Sequence, residues 1–128
     1  MNDPLASTLS SILNAEKVGK KICVVKPASN VIKTVLQILK DNSYIGDFEV
    51  VKDNKGDLIK INLIGRINKT GVIKPRFSLE KDEFEKFEKR FLPAKDFGLI
   101  IISTSKGIMT HYTAKEKNLG GVLLSYCY

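Results

Sequence analysis

The stretch FGLIIISTSKGIMTH, residues 97–111, changes character after Ile102. Before that point Leu99 to Ile102 run without polar interruption, and three of the four are β-branched isoleucines. A run of this kind, bounded by a glycine, predicts a strand covered on both faces and therefore central to a sheet. After it stand Ser103, Thr104, Ser105, Lys106 and Gly107, so the strand ends in three hydroxyls, a cation and a glycine. Packing alone gives a buried strand no use for such an end. Either the hydroxyls satisfy the backbone of a serine-rich turn, or the edge is built to touch something polar.

Toward the C-terminus, THYTAKEKN (110–118) reads as a short helix capped by Thr110 and stopped at Asn118, with Gly120 and Gly121 beyond. VLLSYCY (122–128) reads as a closing strand. Toward the N-terminus, Phe84, Phe87 and Phe91 recur at helical spacing and predict a short amphipathic helix with its rings in the core. Its acids, Glu80, Asp82, Glu83, Glu85 and Glu88, alternate with lysines as on a solvated face. Before it, NKTG (68–71) suits a turn and VIKPRFSL (72–79) an extended segment interrupted at Pro75.

The first half alternates helix and strand. Asp3 before Pro4 is a helix start, because the carboxylate caps free N–H groups and proline lacks one to leave unpaired. Leu5, Leu9, Ile12 and Leu13 then share a face, and Gly19 is the stop. KICVVK (21–26) is a strand ended by Pro27, and Ser29 caps a second helix with the stripe Ile32, Val35, Leu36 and Leu39. YIGDFEVV (44–51) and LIKINLIG (58–65) flank a reversal at KDNKGD and form a hairpin in which Ile59, Ile61 and Leu63 share the buried face. The expected fold is α/β (α+β) in two small lobes: an N-terminal α-β-α-β-β lobe over 1–67, and a mostly antiparallel β lobe with short helices over 68–128.

With 128 residues, 43% hydrophobic and 27% charged, the chain has the composition of an ordinary globular domain. Cys23 and Cys127 match no metal or redox spacing and read as two reduced, buried thiols. No apolar run approaches the roughly 20 residues needed to cross a bilayer, and the first residues lack a basic region followed by an apolar one. A cytoplasmic location and no membrane partner are expected.

The formal net charge of +7 favours an anionic partner, above all nucleic acid. Six lysines (17, 20, 21, 26, 33 and 40) occur between Lys17 and Lys40 with no acid among them. Arg66, Lys69, Lys74 and Arg76 form a second acid-free group, while acids gather in EKDEFEKFEKR, residues 80–90. That acidic helix, with Glu83 and Glu88, is a poor face for RNA and is expected to point to solvent or to a basic neighbour.

Enzyme chemistry finds little to use. His111 is the sole histidine and reads as a surface or capping residue, no metal-ligand cluster surrounds it, and no cofactor motif is present. The best catalytic alternative is a loop of hydroxyls and N–H groups beside Lys106 that cradles a phosphate. RNA suits the edge better, since short hydroxyls reach a 2′-OH or a base edge in the shallow minor groove where long side chains clash, and Gly107 lets the backbone approach.

FGLIII, STSKGIMT and GGVLLSYCY together resemble the C-terminal signature of the universal small-subunit ribosomal protein eight family. NDPLASTLSSILNAEKVGK resembles its N-terminal motif, KPASNVIKTVLQILKDNSYI its second helix, and GRINKTGVIKPRF with LPAKDFG its archaeal and eukaryotic branch. The resemblance is collinear over essentially the whole chain. It implies two α/β lobes and a structural protein, without catalysis, that binds small-subunit rRNA directly at an irregular stem of the central domain and nucleates assembly there. Its implied partners are that rRNA, neighbouring small-subunit ribosomal proteins and, in part of the family, its own messenger. It implies that Ser103, Thr104, Ser105 and Gly107, with Lys106 beside them, form the main RNA-contacting loop. Further contacts would come from Asp3, Pro4 and Thr8 at the first helix and from Asn30 and Lys33 at the second. Gly120, Gly121 and Tyr126 match the strand pattern beside the loop. A generic basic RNA-binding module without a fixed stem is the alternative.

Overall fold

The helices form where the apolar stripes lie and stop where left-handed backbone is available. In the computed structural model, which describes residues 4–25, 30–53, 56–73, 78–80, 83–93 and 97–128, helix α1 spans Pro4–Lys17 and buries Leu5, Leu9 and Ile12. Gly19, at φ 75°, ends it, and the Lys20 N–H closes on the Ala15 carbonyl at 2.9 Å. Helix α2, Asn30–Asp41, buries Ile32, Val35, Leu36 and Leu39, the four residues of the expected stripe. Two polar residues replace glycine at later helix ends: Ser43 and Asn118 take φ of 63° and 55°. The expected caps at Asp3 and Ser29, the stop at Pro27 and the break at Pro75 lie outside the described residues.

Strands β1 (Ile22–Val25), β2 (Ile45–Asp53) and β3 (Gly56–Leu63) form an antiparallel sheet in the order β1-β3-β2. Its period-two pattern puts Cys23, Val25, Ile59, Ile61 and Leu63 on the buried side. These elements make one compact unit, Met1–Asn68, and the second is Lys69–Tyr128.

In the second unit the strands are β4 (Thr70–Val72), β5 (Ser78–Leu79), β6 (Leu99–Thr104), β7 (Gly107–Thr110) and β8 (Gly121–Cys127). The order is β4-β8-β6-β7, with β5 also paired to β8, so β6 is an interior strand as its sequence predicts. Helix α3, Phe84–Phe91, lays Phe84 and Phe87 into a core with Ile100, Ile102, Met109 and Leu123. Helix α4, His111–Glu116, is capped by the Thr110 side chain, which accepts from the Thr113 N–H. Both cysteines are buried thiols.

Three expectations fail here. Thr70 and Gly71, read as part of a turn, open β4 and pair with β8. His111 is not at the surface: it is 0% exposed, and its Nδ1 accepts the Ile100 backbone N–H at 3.0 Å. Glu88 is not on a solvated face either: it is 5% exposed, 3.3 Å from His111 Nε2 and paired with Lys115. The physical reason is its position, i+4 from Phe84 and i−3 from Phe91, on the apolar stripe itself. A carboxylate there is tolerable only when a donor reaches it, and Lys115 of α4 donates to it.

Candidate nucleic-acid interface

The polar edge is the tip of a β-hairpin. Thr104 pairs with Gly107 across β6 and β7, leaving Ser105 and Lys106 as the turn. Four residues are too few for β7 to display a period in the sequence, so the return strand was not legible beforehand. Gly107 carries the left-handed backbone, φ 116°, that lets a turn with right-handed central residues rejoin a twisted pair.

The three hydroxyls divide their work. Thr104 Oγ1 donates to the Gly107 carbonyl at 2.8 Å and accepts from the Lys106 N–H at 3.1 Å. Thr104 is therefore the internal staple of the turn, and its proton is already committed. The hydroxyls of Ser103, partly buried, and Ser105, exposed, have no partner among the described residues. The serine-rich-turn reading thus accounts for Thr104 and leaves the hydroxyls of both serines and the exposed Lys106 to other work.

Gly120 and Gly121 hold the strands behind the turn. A Cβ on Gly121 would overlap the carbonyl oxygen of Ser103 and lie 2.9 Å from its carbonyl carbon. One on Gly120 would overlap the Leu79 carbonyl oxygen and lie 3.1 Å from Glu80 Cα. Contact this close is possible only for glycine: at Gly121 it sets the end of β6 against the start of β8, and at Gly120 it seats the end of β5. Tyr126 is placed elsewhere. It pairs with Ile100 and Gly71, about 15 Å along β8 from Gly121, and its ring stacks on Phe91 at 5.8 Å and on Tyr128 at 6.3 Å.

In the first unit, Pro4 and Asn30 are exposed at the starts of α1 and α2, Lys33 is partly exposed one turn into α2, and Asp3 lies outside the described residues. Thr8 stands differently from the expectation. It is 1% exposed, on the buried face of α1, and its hydroxyl has no hydrogen-bond partner among the described residues. A buried unpaired hydroxyl costs about 1–3 kcal/mol. Thr8→Val keeps the shape and removes the polar atom, so the free chain is expected to gain up to about 1 kcal/mol in chemical unfolding. A destabilised Thr8→Val protein would show that the hydroxyl is satisfied in solution.

Among the described residues no group of three or more His, Cys, Asp and Glu side chains could hold a metal ion. The hairpin offers short hydroxyls with the Lys106 cation beside them, which is the chemistry of contact with sugars, phosphates and base edges.

Comparison with known proteins gives two findings. The family described as ribosomal protein S8 matches residues 3–128. The chain is also similar to the small ribosomal subunit protein uS8 of Methanococcoides burtonii, 55% identical over 126 residues that cover 98% of this chain and 97% of that one.

Proposed function

The chain belongs to the ribosomal protein S8 family, and from that premise we propose that it binds the central domain of small-subunit rRNA directly, at an irregular stem, and nucleates assembly there. As a ribosomal protein of the small subunit it is a structural protein and not an enzyme. Its partners are rRNA and neighbouring ribosomal proteins. Among the described residues no helix is long and apolar enough to cross a membrane.

The observation that carries the reading is the split among the loop hydroxyls. Thr104 fixes the turn, while Ser103 and Ser105 stay unpaired on a strand end that the glycine contacts hold in place. Groups ordered in advance lose little entropy on binding. The reading assigns discrimination to this hairpin in the second lobe, 68–128, and phosphate anchoring to the first, 1–67, through Lys33, Asn30 and the start of α1. Lys106 adds a phosphate contact beside the serines. Selecting one conformation of a flexible junction would then stabilise it for later partners.

The two roles separate by mutation. Ser105→Ala is expected to cost about 1–3 kcal/mol on the cognate stem, where its hydroxyl is desolvated, and little on an unrelated helix. Lys33→Ala is expected to weaken both RNAs alike and to flatten the salt slope by about one unit per lost phosphate contact. Filter or fluorescence titrations of both variants on both RNAs decide it. Equal losses everywhere would leave a generic basic module.

A further inference from the structure

Strand β1 is an edge. It pairs with β3 and stands at the end of its sheet. The Lys21 carbonyl accepts the Leu63 N–H at 2.8 Å, just before the pair Ile22–Asn62 in the register. In an antiparallel ladder bonded and non-bonded pairs alternate, so Cys23 and Val25 turn their peptide groups toward β3. Ile22 and Val24 turn theirs away. Their side chains are 46% and 55% exposed, and Val18 at the end of α1 is 70% exposed.

A groove of about 440 Å³ runs between this edge and α1. One wall is the helical stripe Ser11, Asn14, Ala15 and Val18, and the other is Ile22, Cys23 and Val24. An edge strand with a helix beside it is the geometry by which an extended peptide joins a sheet, main chain to main chain, with alternate side chains in the groove. Lys20 lines the groove, and Lys17 and Lys21, near it in sequence, are also exposed. The Lys20 charge reaches the groove wall: burial pushes the Cys23 thiol up, and Lys20 pulls it partly back. Exposed valine and isoleucine beside strand-spaced N–H and C=O groups match a peptide, not a phosphate backbone, and the lysines call for carboxylates.

We propose that the free edge of β1 is a docking strand, on which an extended segment of a neighbouring ribosomal protein, apolar at alternate positions and carrying an acid opposite Lys20, adds to the sheet. The proposal rests on the chain's place in the small subunit and is independent of which RNA stem it reads.

The test uses small subunits reconstituted with this chain, Ile22 being replaced by the photoreactive residue benzoylphenylalanine. After irradiation the crosslinked peptides are mapped by mass spectrometry. The expected product is a single acid-bearing segment of one ribosomal protein, with a yield that falls about tenfold on Val24→Pro or Lys20→Glu. Val24→Pro removes an N–H that faces away from β3, so the ladder is kept. Lys20→Glu changes only an exposed charge and serves if the proline variant misfolds. Crosslinks to rRNA, no crosslink, or a yield indifferent to a folded Val24→Pro and to Lys20→Glu would overturn the proposal. Lost stem binding with the protein crosslink intact would count against the RNA reading alone.

Discussion

Gly121→Ala is expected to destabilise the second unit by about 3 kcal/mol, the upper end of what overpacking usually costs, and to abolish the preference for the cognate stem. The added methyl overlaps the Ser103 carbonyl oxygen, and the obstacle is backbone, not the end of a flexible side chain. Relief requires β6 and β8 to part where Thr104 pairs with Gly121. That movement displaces Ser103 and swings the hairpin tip. Gly107→Ala is the control: a Cβ there meets nothing within 4 Å, so only the positive φ is penalised, by about 1–2 kcal/mol. Thermal unfolding of the pair separates steric displacement from backbone strain. A Gly121→Ala protein with parental stability and parental discrimination would show that the close approach does not position the loop.

Glu88→Ala is expected to cost about 3 kcal/mol and lower the unfolding midpoint by about 10 °C. It removes the buried carboxylate that faces His111 Nε2 and pairs with Lys115. His111 is fixed from the other side, because its Nδ1 accepts the Ile100 N–H, which sets Nε2 3.3 Å from Glu88 Oε1. Truncation removes the carboxylate that Lys115 pairs with and His111 faces, and empties buried side-chain volume on the apolar stripe. The figure sits at the low end for a broken buried pair because the Lys115 side chain is 33% exposed and regains water. Glu88→Gln keeps an acceptor oxygen and is expected to lose about half as much. A midpoint for Glu88→Ala within about 2 °C of the parent would show the cluster to be energetically idle.

The fold was legible where a single face is buried. The stripe of α2, the alternation in β3 and the uninterrupted run of β6 each write the burial pattern directly into the sequence. The helix stops were legible too, because Gly19 and Asn118 are residue types that accept left-handed backbone. Strand β7 was not, being four residues long and joined to β6 by a turn that looked like the end of an element.

The candidate site shows a sharper limit. STSKG announces a polar edge, yet only the geometry separates Thr104, bonded to its own turn, from Ser103 and Ser105. Gly120 and Gly121 read as motif residues beside the loop, and their close contacts with Leu79 and Ser103 are invisible without the strand order. Glu88 and His111 were misread because composition marks them as surface residues. Their sequence spacing held a warning: Glu88 occupies a stripe position between Phe84 and Phe91, where any side chain faces the core.

The most direct test of the account is binding of the intact chain to the isolated central-domain stem of its own small-subunit rRNA. An unrelated helix of equal length serves as reference, and both are titrated over a range of salt. The predicted result is a preference that persists as salt rises, because hydroxyl contacts to sugars and base edges release few counterions. Loss of all preference, with both affinities collapsing together as salt rises, would contradict the account and leave only a basic surface.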